Sequence, residues 1–126
     1  MDKKEIISEI INGITNFKMI PFLGAGMSKP CKALDWSEII TVLKNELGTA
    51  TTNYLLVAQE YETRFGRKIL IAKLRELCEL KTVDSATLDL HIKILAMNPP
   101  LIYTTNYDNA IEEAAKQIRR NYKKVV

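Results

Sequence analysis

The sequence has 126 residues, of which 47% are hydrophobic and 26% are charged. A chain of this length and composition is typical of one globular domain and excludes a disordered or fibrous protein. No apolar stretch approaches the length of a membrane span, and the amphipathic N-terminus lacks the hydrophobic core of a signal peptide. We therefore expect a cytoplasmic protein that does not bind to a membrane.

The net charge of +3 is too small to indicate nucleic-acid binding. Much of the positive charge lies late in the chain, at the end of a predicted helix, where cations interact favourably with the helix dipole. We interpret these side chains as a solvated helix end rather than a nucleic-acid surface. They are Lys116, Arg119, Arg120, Lys123 and Lys124.

The two cysteines, Cys31 and Cys78, are far apart in the sequence, and the chain has a single histidine. A structural zinc site needs four ligands, which usually come in closely spaced pairs. The sequence therefore predicts no zinc site and no other metal site.

The first two predicted elements are a helix and a strand. Isoleucines recur at helical spacing over residues 3–16, which predicts an amphipathic helix. The apolar run Lys18–Leu23 ends at two glycines and is typical of a buried strand that enters a tight turn. Pro21 is unusual there, because proline lacks the N–H donor that a central strand needs.

Four helices are predicted next. Asp35 and Glu38 have the spacing of a capping box, which predicts a helix start, and Gly48 is a suitable end for that helix. Apolar residues at helical spacing predict the other three helices. They cover residues 54–66, 70–78 and 84–95.

The double proline at 99–100 ends the last of these helices. Leu101–Thr105 is rich in β-branched and aromatic residues and is predicted to be the second strand. A final helix follows, defined by Ile111, Ala114, Ala115 and Ile118.

Two strands that each lead into a helix indicate a parallel sheet with helices on both faces. Two strands alone do not make a stable sheet of this kind. We therefore expect an α/β protein with a Rossmann-like parallel sheet, a helical insertion between the first two strands, and an incomplete sheet in this chain. Either further segments are strands, or residues beyond Val126 complete the sheet.

Ligands of open α/β sheets bind beyond the carboxyl ends of the strands. The first strand ends in Gly24-Ala25-Gly26-Met27-Ser28. Glycines allow the backbone to approach a phosphate closely, and free N–H groups in such a turn can bind an anion. An ordinary glycine turn is the alternative, because Lys29 stands where the dinucleotide fingerprint has its third glycine and no P-loop Lys follows.

The second strand ends in Asn106-Tyr107-Asp108. Asp108 suits the cap of the following helix, and this structural role is the alternative to a functional one. Asn106 comes two residues earlier, where its amide is expected to project from the strand tip into the same crevice as the glycine turn. We interpret the two strand ends together as one ligand site.

These two segments, Phe22–Ser28 and Tyr103–Asp108, resemble the GAGxS and TxNxD motifs of the sirtuin family. The form TTNYD, with Trp36 at a helix start, is more similar to prokaryotic sirtuin-like domains of antiphage defence than to protein deacetylases. The resemblance spans residues 18–118. It implies that residues 1–126 are the N-terminal portion of a single NAD-binding domain.

The resemblance implies NAD as substrate or ligand, with the glycine turn around its pyrophosphate and the start of the following helix near its nicotinamide ribose. Asn106 would orient the attacking water or a ribose hydroxyl, and Asp108 would contact the nicotinamide end; these are the implied catalytic residues. The implied cofactor-binding residues are Gly24, Ala25, Gly26, Ser28, Asp35, Trp36 and Thr105.

The sequence departs from the deacetylases of the family. Lys32-Ala33-Leu34 and Ser37 replace residues of their nicotinamide loop, and the zinc ribbon is missing. The family's catalytic histidine follows the TxNxD strand, whereas His91 precedes it and shares its predicted helix face with apolar residues. We interpret His91 as a packed residue and expect the base beyond Val126.

The expected function is an NAD hydrolase that releases nicotinamide and ADP-ribose and acts in antiphage defence by NAD depletion. Homo-oligomer formation and a sensor domain or partner protein are further expectations. One alternative is a module that binds NAD or an ADP-ribose derivative without cleaving it. A second alternative is an α/β scaffold in which the glycine turn and the asparagine are merely structural.

Overall fold

The computed structural model describes residues 1–125, and within them the order of helices and strands predicted from the sequence is confirmed. No helix of this part of the chain is long and apolar enough to cross a membrane. The elements are α1 (Lys3–Thr15), β1 (Phe22–Leu23), a 3₁₀ helix (Ala25–Cys31), α2 (Trp36–Leu47), α3 (Tyr54–Phe65), α4 (Arg67–Cys78), α5 (Asp89–Ala96), β2 (Tyr103–Thr104) and α6 (Ala110–Gln117).

The two strands pair in parallel, with Phe22 opposite Tyr103 and Leu23 opposite Thr104. The Tyr103 N–H donates to the Pro21 carbonyl at 2.9 Å, and the Thr105 N–H donates to the Leu23 carbonyl at 3.2 Å. Pro21 is therefore tolerated beside the strand because the ladder uses its carbonyl oxygen rather than the N–H that proline lacks.

Both strands are shorter than predicted, with two residues each instead of the runs 18–23 and 101–105. Residues 1–125 contain no third strand, and Phe22 and Tyr103 are 70% and 55% exposed on one face of the sheet. The described chain is mostly helical with a small parallel sheet, which is compatible with an incomplete α/β fold. A Rossmann-like sheet with helices on both faces stays a prediction.

One hydrophobic core lies among α2, α3 and α4. The predicted capping box starts α2, because the Glu38 N–H donates to Asp35 Oδ1 at 2.9 Å and the Asp35 N–H donates to Glu38 Oε2 at 2.7 Å. Gly48 ends the helix with φ +67°, as glycine readily does. The buried residues of this core are Ile40, Leu43, Leu47, Val57, Tyr61 and Leu70.

A second core joins α5 and α6 to the end of the 3₁₀ helix. Helix α5 begins at Asp89 rather than at the predicted Asp84, because Asp84 Oδ1 accepts from the Thr87 N–H at 2.8 Å and holds a separate turn there. Ile102, just before β2, packs against this core and connects it to the sheet. The buried residues are Cys31, Leu80, Leu88, Leu95, Ala110, Ala114 and Ala115.

Helix α1 is confirmed, with Asp2 and Glu5 forming a capping box at its start. None of its residues is buried in the described structure, and its isoleucines at positions 6, 7, 10 and 11 are exposed. Its apolar face therefore has no partner within residues 1–125.

Candidate functional site

A cleft of about 100 Å³ opens where the carboxyl ends of β1 and β2 lie side by side. The parallel pairing places the segments after both strands at the same edge of the sheet, and the start of α2 closes the cleft on a third side. Of the predicted site residues, the cleft brings together Ala25, Ser28, Asp35, Trp36, Thr105, Asn106 and Asp108.

The other two predicted residues, Gly24 and Gly26, form the turn beside the cleft. Neither has a positive φ angle, and a Cβ atom placed on either of them would meet nothing within 4 Å. Neither the backbone conformation nor the packing of the described residues therefore requires glycine at these positions. The open space in front of them would allow a ligand to approach the backbone closely, which a side chain would prevent.

Asn106 is held by hydrogen bonds from its side-chain nitrogen. Its Nδ2 donates to the Gly24 carbonyl at 3.0 Å and to Ser28 Oγ at 3.2 Å. Since a carbonyl oxygen only accepts, the contact with Gly24 determines which end of the amide is the nitrogen. The Asn106 Oδ1 atom is buried and has no partner within residues 1–125.

The backbone around Asn106 is fixed by Thr104. The Thr104 hydroxyl donates to the Leu23 carbonyl at 3.0 Å and accepts from the Asn106 N–H, also at 3.0 Å. This side chain therefore links β1 to Asn106, the second residue after β2. The backbone that carries the unpaired Oδ1 is thus held in place by hydrogen bonds. A buried acceptor without a partner is unfavourable until a donor binds to it.

The Ser28 hydroxyl is turned toward the protein interior. Ser28 is 1% exposed, and its Oγ lies 3.2 Å from Asn106 Nδ2 and 3.4 Å from His91 Nε2. A role of Ser28 at the pyrophosphate stays a prediction.

His91 is also 1% exposed, which confirms its interpretation as a packed residue. Burial lowers the pKa of its imidazole, and the charge of Asp108 opposes this effect. Its contact with Ser28 was missed from the sequence. No local signal could reveal that contact, because the neighbouring positions on its helix face are apolar and Ser28 is distant in the chain.

Asp35 is engaged by Lys29 as well as by its capping role. The Lys29 ammonium lies 2.8 Å from Asp35 Oδ2 and 3.1 Å from Glu38 Oε2. The hydrogen bond from Lys29 lowers the pKa of the Asp35 carboxyl, and the same bond raises the pKa of Lys29. This ion pair ties the 3₁₀ helix to the start of α2, and the contact of Asp35 with a ribose stays a prediction.

Trp36, at the start of α2, and Tyr107, in the segment after β2, both line the cleft. Their ring centroids are 6.3 Å apart with the planes tilted by 34°. Both rings are exposed and offer aromatic faces to a ligand. Tyr107 was not among the predicted site residues, although its position between Asn106 and Asp108 could have indicated that it lies at the cleft.

Asp108 lines the cleft, and its Oδ1 accepts from the N–H of Ala110, the first residue of α6, at 2.9 Å. The N-cap position of α6 is Asn109, so the prediction that Asp108 caps this helix is wrong by one residue, although the Asp108 carboxylate binds the first N–H of the helix. Thr105 lies at the cleft and pairs with β1 through its backbone. Within residues 1–125, no group of three or more His, Cys, Asp or Glu side chains is arranged to hold a metal ion.

Comparisons with known proteins identify several relatives, while no protein-family model matches the chain. Defense-associated sirtuin 2 of Bacillus subtilis is 32% identical over 87% of this chain and 11% of that protein. The NAD(+) hydrolase ThsA of Enterococcus faecium is 29% identical, covering 97% of the chain and 27% of the relative. ThsA of Acinetobacter baumannii is 33% identical, covering 90% and 24%, respectively.

The chain thus spans between 11% and 27% of the length of these relatives. The alignments nevertheless include most of this chain, and the names of the relatives agree with the resemblance of the two strand-end motifs. They support a sirtuin-like family of antiphage defence as the family of this chain.

Proposed function

We propose that residues 1–126 are the N-terminal portion of a sirtuin-like domain that binds NAD and hydrolyses it to nicotinamide and ADP-ribose. The single observation that carries this proposal is Asn106, whose amide nitrogen is fixed at the edge of the cleft while its buried Oδ1 has no partner in residues 1–125. Three relatives are named NAD(+) hydrolases, which supports the same substrate.

The size of the cleft suggests which part of NAD it takes. Its volume of about 100 Å³ is below the roughly 300 Å³ at which pockets for whole drug-sized ligands begin. It therefore suits only part of the dinucleotide, and the resemblance of Asp35 and Trp36 to the family's nicotinamide loop favours the nicotinamide ribose. The pyrophosphate would lie over the open glycine turn, where Gly24 and Gly26 leave their backbone accessible.

Hydrolysis breaks the bond between the ribose C1′ and the nicotinamide nitrogen, and the electron pair leaves with nicotinamide. The ribose passes through an oxocarbenium-like state, and water then bonds to C1′ and loses a proton. The free Oδ1 of Asn106 can accept a hydrogen bond from that water or from a ribose hydroxyl and so hold it in place. NAD depletion in antiphage defence, triggered through a sensor domain or partner, follows from this activity as part of the proposal.

A module that binds NAD or ADP-ribose without cleavage is the second candidate. It is favoured by the position of His91, which is buried behind Ser28 and does not line the cleft. His91 is the only histidine of the sequence, so no histidine within residues 1–125 lines the cleft as a general base.

Binding is measurable directly, because Trp36 is the only tryptophan in the chain and lies at the cleft. We expect NAD to change the Trp36 fluorescence of the 126-residue chain in a saturable manner. Asn106→Ala and Gly26→Ala should each weaken binding about 5- to 30-fold, the loss of one or two hydrogen bonds. Gly13→Ala in α1 is the matched control, since its Cβ would make only an ordinary contact with Met19.

The outcome separates the candidates. If the chain binds NAD and the full-length parent releases nicotinamide, the hydrolase is supported. Binding without nicotinamide release from the parent would instead support the binding module. If Gly26→Ala and Asn106→Ala leave both binding and nicotinamide release unchanged, the scaffold alternative is correct and the proposed function is wrong.

A further inference from the structure

We propose that His91 is a positioning residue of the cleft, which acts through the Ser28 hydroxyl to orient the side-chain amide of Asn106. The three side chains form a continuous chain of contacts, 3.4 Å from His91 Nε2 to Ser28 Oγ and 3.2 Å from Ser28 Oγ to Asn106 Nδ2. The role of these three contacting side chains in ligand binding rests on the proposed function, whereas the contacts themselves do not.

The direction of the hydrogen bonds follows from the donors and acceptors available. Asn106 Nδ2 can only donate, so Ser28 Oγ accepts from it. The Ser28 proton then needs an acceptor, and the contact that offers one is His91 Nε2. If Nε2 carried the proton instead, both the Ser28 O–H and His91 Nδ1 would be buried without partners, which is the less favourable arrangement.

His91 must therefore be neutral, with its proton on Nδ1. Burial favours the neutral imidazole by lowering its pKa, and the opposing effect of Asp108 is smaller. The Nδ1 atom has no hydrogen-bond partner within residues 1–125. A purely apolar residue would fill this place without such a cost, so the imidazole is better explained by the acceptor that it provides to Ser28.

These contacts also connect helix α5 to the cleft. His91 lies in α5, Ser28 in the 3₁₀ helix and Asn106 two residues after β2, so three separate segments of the chain meet at one hydroxyl. Without an acceptor at position 91, the Ser28 hydroxyl would be free to rotate. It would then hold the Asn106 amide less firmly at the cleft.

The first test requires no ligand. Because the chain has one histidine, its imidazole nitrogens give a single set of NMR signals in the ¹⁵N-labelled protein. We expect the tautomer with the proton on Nδ1 at neutral pH, and a shift of the Nε2 signal in Ser28→Ala. A proton on Nε2, or an Nε2 signal that Ser28→Ala does not move, would overturn the proposal even if NAD binds.

The second test is a double-mutant cycle read by Trp36 fluorescence with NAD. His91→Leu and Ser28→Ala should each weaken binding about 3- to 10-fold, as expected for one lost hydrogen bond. The double variant should bind NAD no more weakly than Ser28→Ala, because both changes remove the same hydrogen bond between His91 and Ser28. His91→Gln keeps an acceptor oxygen and should bind within about twofold of the unmodified chain.

A merely structural role of His91 predicts different results. In that case the losses would multiply in the double variant, and His91→Gln would be as weak as His91→Leu. Either result would overturn the proposal. If the unmodified protein does not bind NAD, the proposed function is wrong, but the tautomer measurement still decides whether His91 and Ser28 are hydrogen-bonded. If His91→Leu does not fold, the proposal is decided by His91→Gln, Ser28→Ala and the tautomer measurement.

Discussion

At the scale of single residues, the cleft depends on polar side chains whose partners come from distant parts of the sequence. Asn106 contacts Gly24 and Ser28, and Ser28 in turn contacts His91. Asn106, Gly24 and Ser28 belong to the two recognisable motifs, whereas His91 lies outside both of them. The contact of His91 with Ser28 forms only on folding, so local sequence patterns describe the role of His91 least well.

The buried imidazole predicts a dependence of stability on pH. Burial lowers the pKa of His91 in the folded chain below its value of about 6.5 in the unfolded chain. As the pH falls through that value, the unfolded chain binds a proton that the folded chain does not. The free energy of unfolding should therefore be fully retained above about pH 6.5 and decrease below it, by at most about 1.4 kcal/mol per pH unit.

Denaturant unfolding at pH 7.5 and at pH 5.5 measures this effect. His91→Gln does not titrate in this range, so its stability should fall less between the two pH values than that of the unmodified chain. Asp108 and the other carboxylates are present in both proteins and cancel in the comparison. Equal losses in the two proteins would contradict a depressed pKa of His91.

At the scale of elements, α2 was predicted from its own start and end signals, whereas α3 and α4 were predicted from apolar spacing, and α4 begins at Arg67 rather than at residue 70. Asp35 caps α2 and Gly48 ends it, Asn53 caps α3, and Gly66 separates α3 from α4 with φ +89°. These signals act within a few residues and depend little on the rest of the fold. The strands have no such local definition, since each needs a partner to form its ladder.

Two leucines of these helices differ sharply in burial and make a matched pair. Leu43 in α2 is fully buried in the core of α2, α3 and α4, whereas Leu55 in α3 is exposed. Leu43→Ala should lower the free energy of unfolding by about 2–5 kcal/mol, and Leu55→Ala should change it by less than about 0.5 kcal/mol. Chemical denaturation measures both, and similar losses for the two would contradict the packing of α2 on α3.

At the scale of the whole molecule, residues 1–125 build two separate cores and leave two apolar surfaces uncovered. The cores lie among α2, α3 and α4 and between α5 and α6. The uncovered surfaces are the isoleucine face of α1 and the sheet face that carries Phe22 and Tyr103. Neither surface stabilises the described chain by packing against it.

The exposed helix gives a prediction at this scale. Replacing Ile6 or Ile10 of α1 by Gln should change the free energy of unfolding of the chain by less than about 0.5 kcal/mol, because neither side chain is buried. Ile40→Gln is the control, since it removes a buried isoleucine of α2 and should cost at least about 2 kcal/mol. If Ile6→Gln or Ile10→Gln lowers the free energy of unfolding as much as Ile40→Gln does, α1 packs on the rest of the chain.

The sequence by itself determined the order of the elements, the capped start of α2 and the two motifs that meet at the cleft. These features depend on periodicity and on signals between residues close in the chain, and the parallel strand order then brings the motifs to one edge. Only the tertiary structure decided that Ser28 faces inward, that His91 lies behind it, that Lys29 binds Asp35 and that α1 buries no residue. Each of these depends on which surfaces meet when helices pack, and apolar spacing predicts a buried face without naming what covers it.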